Sequence, residues 1–350
     1  MLREERKRSI KKSGRDRVPA PPQNHWQARR ARKETTVQDR TPRYTPSVPV
    51  PGCGYIRTFE AEIDYLADAT MRVRGVQTDH RHSLEYVWIV CLPNYEIVNT
   101  TAHHRFGEPE ILSPTLLSRC AAIQGACTTQ GFTAAVREAL GPLPGSQEHL
   151  VMAVEMARVS LQGFPVPKGD HERFASAAAP VPPGPSRTAR MAWERDRAGS
   201  PWICNSCYAY RDESAALFEE RQVQCFDLDL ISPAPGQRRF FWRTKQLQIT
   251  PSPDGLGYAC HNAMNDTFHE LDVTLNLAVD GTIRVATSQS RRLAFTGMCE
   301  DTQKSTPGLV GKKLDKSYAR LLADHVGGRS GCSHLFDLSV DCLRFFQWRE

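Results

Sequence analysis

The sequence predicts an α+β protein built as two tandem copies of one plan, each an antiparallel sheet covered by C-terminal helices. Three observations lead there. The same landmarks recur in the same order in both halves of the chain, and within each half the strand patterns come first and the helical ones last. The closing segment "CSHLFDLSVDCLRFF" also spaces Leu335, Leu338, Cys342 and Phe345 along one helical face.

At 350 residues and 40% hydrophobic content, the chain is long enough for two domains with real cores. The divisions expected are a disordered basic arm over 1–48, a first α+β repeat over 49–163, a Pro/Ala-rich linker with a CxxC segment over 164–215, and a second repeat over 216–350. The net charge of +6 is unevenly distributed: residues 1–48 carry fourteen Lys and Arg against five acids, which leaves the remainder mildly acidic. Specific nucleic-acid binding is therefore not expected of the body, although the arm could touch phosphates without sequence preference. No apolar run is long enough to span a bilayer and no leader pattern opens the chain, so a cytoplasmic protein with no membrane partner is expected. The eleven cysteines are irregularly spaced, which points to reduced thiols and not to a disulfide framework.

In chain order, "RTFEAEIDY" from Arg57 answers "RTKQLQITP" from Arg243, and "DHRHSLEYVWIV" from Asp79 answers "DTFHELDVTLNL" from Asp266. "YEIVNTTA" and "GTIRVATS" then read as the return arms of hairpins. Cys120 answers Cys299, and the helical segment holding His149 answers the one holding His334. From the histidine of DxxH to the histidine before Leu is 67 residues in the first half and 65 in the second. Between the halves, "FPVPKGDHERFASAAAPVPPGPSRTAR" has no hydrophobic period and reads as a linker or long surface loop.

The set DxxH, an isolated Cys, LVG and GCSHL resembles the bacterial domain-of-unknown-function family 2889. The best match is 240–346, with Asp266, His269, Cys299, Leu309-Val310-Gly311 and Gly331-Cys332-Ser333-His334-Leu335, where Ser333 replaces the usual Thr. The first half keeps Asp79, His82, Cys120, His149 and Leu150 but has Gln147 in place of Cys332. This resemblance implies no activity. A second one, to scaffold proteins of iron–sulfur cluster assembly of the NifU type, implies a NifU/SufE-like fold. The AxCGD element of those scaffolds is missing, and the histidine follows Cys332 instead of preceding it.

These residues define the candidate site. Cys332, expected at a helix N-terminus, is the candidate nucleophile or ligand, with its thiol acidified by the helix dipole, and His334 is the candidate base or ligand. Asp266 and His269 lie three apart and would face opposite ways on a regular strand, so they converge only if the Asp sits in a turn or bulge. Converged, Asp266, His269, Cys299, Cys332 and His334 would make a mixed O/N/S set suited to zinc or iron. Cys204 and Cys207 form a CxxC with no second half. Against the metal or reactive-thiol reading stands a non-catalytic accessory module that binds a protein partner and uses these residues for packing. No phosphate loop, GxSxG elbow or HExxH is present.

Overall fold

The computed structural model describes residues 43–46, 54–66, 68, 70–92, 94–166, 185–315, 317–344 and 346–349. Most of the basic arm expected over 1–48 and the centre of the 164–190 loop lie outside the described residues.

The strands follow from alternation of apolar and polar residues. In Tyr55–Tyr65, the residues Tyr55, Phe59, Ala61 and Ile63 are buried while Ile56 and Glu60 are exposed. After β1 (Arg43–Pro46), four strands form a meander: β2 (Tyr55–Tyr65), β3 (Thr70–Thr78), β4 (His82–Cys91) and β5 (Glu96–Gly107). Three helices follow, α1 (Pro114–Cys120), α2 (Phe132–Leu140) and α3 (Ser146–Gln162).

The middle of the chain folds more than its composition predicts. Within 164–215, Pro185–Gly199 is a helix, α4, with Ala189, Ala192 and Trp193 buried. Their spacing puts a small apolar stripe on one helical face, a signal that the surrounding Ala and Pro obscured. A short α5 (Leu217–Glu220) and β6 (Gln224–Cys225) follow.

A second meander comprises β7 (Phe241–Pro251), β8 (Gly257–Asp266), β9 (Glu270–Ala278) and β10 (Ile283–Arg292). The short β11 (Phe295–Thr296) pairs with β6. Then come a run of 3-10 turns over Cys299–Leu309, α6 (Tyr318–Val326), α7 (Ser333–Arg344) and β12 (Phe346–Arg349), whose backbone pairs with β1.

The two meanders join into one eight-stranded antiparallel sheet of order β10-β9-β8-β7-β2-β3-β4-β5. At the seam β2 and β7 pair from Tyr55 opposite Ile249 to Ile63 opposite Phe241, with Phe59 opposite Lys245 at the centre. The helices α3 and α7 lie against the sheet, and three buried clusters result. One joins β2–β5 with α1–α3, one joins β7–β10 with α6 and α7, and one gathers Trp193, Phe218, Phe295 and Met298 around the middle segment. Beneath the seam the Lys245 ammonium donates to Glu155 Oε1 at 2.8 Å and to Asp341. All three side chains are buried, so the charges are tolerable only as a set. No described helix is long and apolar enough to cross a membrane.

Candidate functional site

The DxxH segments are hairpin turns. Asp266 is the last residue of β8 and His269 immediately precedes β9, and the Asp266 N–H donates to the His269 carbonyl at 2.7 Å. Asp266 Oδ1 accepts the N–H groups of Phe268 (2.8 Å) and His269 (2.7 Å) and lies 3.1 Å from His269 Nδ1. Its Oδ2 accepts from Arg243 Nη2 at 2.6 Å. Aspartate suits such a turn because its short carboxylate reaches backbone N–H groups two and three residues on. The carboxylate and the imidazole thus converge through the turn, as the three-residue spacing required. Burial alone would raise the Asp266 carboxyl, but His269 and Arg243 outweigh it and hold the group well below the usual carboxylate range.

Asp79 and His82 build the same turn between β3 and β4. The Asp79 N–H donates to the His82 carbonyl, and Asp79 Oδ1 accepts from the N–H groups of Arg81 and His82. Here the outer oxygen accepts from the neutral Tyr55 hydroxyl at 2.6 Å, where Asp266 has a guanidinium.

GCSHL opens α7. The Cys332 carbonyl accepts the first helical bond, from Phe336 N–H at 3.0 Å. Gly331 is required by close approach: a Cβ there would come within 2.2 Å of the Val326 carbonyl oxygen. The Gly331 carbonyl accepts from Tyr208 N–H at 2.8 Å, which brings the CxxC segment against the helix start. The His334 ring packs against His269 with centroids 4.1 Å apart, its Nε2 meets the Gln162 amide at the end of α3, and its Nδ1 lies 3.8 Å from Cys332 Sγ. Burial, reinforced by His269 and Arg243, pushes the His334 pKa well below the ordinary histidine value, so the ring is neutral at neutral pH.

At Cys332 the acidifying influence of the helix N-terminus is outweighed. Burial pushes its thiol up to about 12, and the N–H groups of Leu335 and His334 offset only part of that. Burial likewise raises Cys299 and Cys207. These three rest as thiols.

One pocket of about 160 Å³ is lined by His269, His334, Cys332, Cys299, Cys207 and Ser333, together with Gln162 and a wall of Phe164, Tyr210, Phe226, Phe268 and Phe295. Four of the five expected ligands share this wall, and Asp266 stands behind His269. Among the described residues, no group of three or more His, Cys, Asp or Glu side chains is disposed to hold a metal ion. Of the expected zinc or iron set, Asp266 is engaged by the turn and Arg243, and His334 Nε2 by Gln162. The CxxC pair divides, with Cys204 Sγ facing the Arg197 carbonyl at 3.7 Å while Cys207 reaches the pocket.

Sequence reasoning did not assign Gln162, Arg243, Cys207 or the phenylalanines to the site. Arg243 is the arginine of the repeated RT pair and Cys207 belongs to the visible CxxC, so both carried a signal. Gln162 comes from the other half of the chain and carried none.

Residues 250–344 match the family model described as "Protein of unknown function (DUF2889)". The matched segment runs from the end of β7 to the end of α7 and contains Asp266, His269, Cys299, Cys332 and His334. No curated protein and no solved structure matches the chain.

Proposed function

We propose that the pocket is a small-molecule site that uses a carboxylate-held histidine, His269, as its proton acceptor and neutral thiols as part of its wall. The observation that carries this reading is the convergence of His269, His334, Cys332 and Cys299 on one cavity whose remaining lining is mainly aromatic and aliphatic. Binding sites combine apolar enclosure with a few convergent polar groups in this way. His269 and not His334 is placed to accept a proton, because Asp266 engages its Nδ1 and no described group hydrogen-bonds its Nε2, whereas His334 Nε2 is engaged by Gln162. Cys332 serves as a thiol that becomes nucleophilic only if a bound ligand takes its proton. Cluster-scaffold chemistry of the NifU type is not part of this reading, since the donors point to other partners.

The reading includes a tandem origin for the two halves. Strands beginning at Tyr55, Thr70, His82 and Glu96 have counterparts beginning at Phe241, Gly257, Glu270 and Ile283, and α2 and α3 have counterparts in α6 and α7. Shared DxxH turns support it. The first half is the packed counterpart and the second the ligand-binding one.

A screen of compact apolar fragments by ligand-observed NMR, followed by alkylation of Cys332 with a small maleimide, tests the site. Fragments that bind are expected to slow Cys332 labelling, and Ala294→Leu, which thickens the pocket wall, is expected to weaken them. The proposal fails if no fragment binds at millimolar concentration, or if bound fragments leave Cys332 labelling unchanged.

A further inference from the structure

Resting on that reading, we propose that the ligand is a monocyclic arene bearing a hydroxyl group, a phenol, whose O–H is donated to His269 Nε2. Three independent features of the pocket converge on this class.

Size comes first. The cavity measures about 160 Å³, and an apolar protein cavity of roughly 150 Å³ accommodates one benzene molecule. A single ring with a small substituent matches this volume.

The lining is the second feature. Phe226 and Phe268 pack with centroids 4.4 Å apart, and Tyr210 meets Phe295 edge-on at 5.7 Å. Aromatic walls in these orientations offer both faces and edges to an incoming ring. Cys207, Cys299 and Cys332, uncharged, add polarizable sulfur that is compatible with an arene and unfavourable to an anion.

The third is the tautomer of His269. A carboxylate only accepts hydrogen bonds, so of the two tautomers the 3.1 Å contact with Asp266 Oδ1 selects the one with its proton on Nδ1. Nε2 is then a bare acceptor. It lies on the side of the ring away from Asp266, no described group hydrogen-bonds it, and the side chain is only 11% exposed on the pocket wall. A ligand that covers it without a donor leaves a buried acceptor unsatisfied. A hydroxyl supplies the donor, whereas an ether or a carboxylate does not. The same argument separates phenol from toluene, anisole and benzoate, all of similar ring size.

Calorimetric or NMR titration of the full chain with these four compounds at neutral pH reads the preference directly. Phenol is expected to bind at least about tenfold tighter than anisole or toluene, the discrimination that one unmade buried hydrogen bond provides. In His269→Phe that preference should disappear while toluene affinity stays within about threefold, since the ring volume is kept. A second measurement needs no variant: ¹⁵N spectra of the histidine rings should show His269 protonated at Nδ1 with Nε2 bare, and Nε2 should shift on adding phenol. Equal binding of anisole and phenol, tightest binding of benzoate, or a protonated Nε2 in the free protein would each overturn the phenol assignment while leaving the pocket as a binding site. Failure of all four compounds to bind would overturn the assignment together with the pocket reading on which it rests.

Discussion

His149 and His334 both lie in the first turn of a helix, α3 and α7, yet one is sealed and the other borders a cavity. His149 is wholly buried, and its Nε2–H donates to the Ile111 carbonyl at 2.8 Å. That leaves Nδ1 as an acceptor for the Tyr86 hydroxyl at 2.7 Å, with Cys120 Sγ 3.3 Å away. Every polar atom of the ring is satisfied by protein. Tyr86 stands four residues after His82; four residues after His269 stands Val273, which has no hydroxyl to donate. In the second half the aromatic bulk comes instead from Phe226, Phe268 and the CxxC segment, which wall a space without filling it. A histidine in the first turn of such a helix is therefore sealed or left against a cavity depending on one strand residue and on what the middle of the chain places opposite.

The largest separation between the halves is expected at the two turn aspartates. Asp266→Ala removes the partner of the buried Arg243 guanidinium and should cost about 3–5 kcal/mol. Asp79→Ala loses a neutral tyrosine partner and the same kind of turn bonds, and should cost about 1–3 kcal/mol. Urea denaturation of both variants measures the difference, and equal losses would show that the charge on Arg243 does not distinguish the turns.

Acid sensitivity should be the next largest effect, and here the halves should agree in sign. Both histidines have folded pKa values below the ordinary one, His334 further than His149, each mainly through burial. Below about pH 6.5 the unfolded chain binds protons that the folded rings refuse. Their contribution is thus complete above that pH and is lost as pH falls, at about 1.4 kcal/mol per pH unit for each histidine. His334→Phe and His149→Phe should each flatten the stability profile, with the His334 effect extending to lower pH. A profile unchanged by both substitutions would mean that neither ring is held neutral.

The smallest effect concerns Cys332. Cys332→Ser should shift stability by less than about 1.5 kcal/mol, because the exchange nearly conserves volume. Native Cys332 should alkylate at neutral pH on the order of a thousandfold more slowly than in the denatured chain, since a thiol near 12 is scarcely ionised. Rapid native labelling, read by mass spectrometry, would place the thiol in a less buried setting than the one described.

Much of this arrangement was legible in local pattern. The strand order within each half and the turns that Asp79 and Asp266 close follow from residues near one another in sequence, whereas the grouping of Cys299, Cys332 and His334 with His269 was visible only as a recurring set of distant residues. Three features were not legible. The pairing of β2 with β7 depends on two distant edges, and no residue type announces it. Cys207 reaches the pocket through a bond from Tyr208 N–H to the Gly331 carbonyl, a contact between distant segments. The ionisation of Cys332 is a competition between the N–H groups of the helix start, visible in sequence, and desolvation, which depends on what the rest of the chain packs over the thiol.

The seam between β2 and β7 bears on assembly. Two strands paired antiparallel are related by a local two-fold axis, here close to Phe59 and Lys245, which is the geometry two identical subunits would adopt edge to edge. A chain holding only the second half would leave β7 as a bare edge, open to self-association, and Lys245 without Glu155. Carrying both halves on one polypeptide makes that encounter intramolecular and independent of protein concentration.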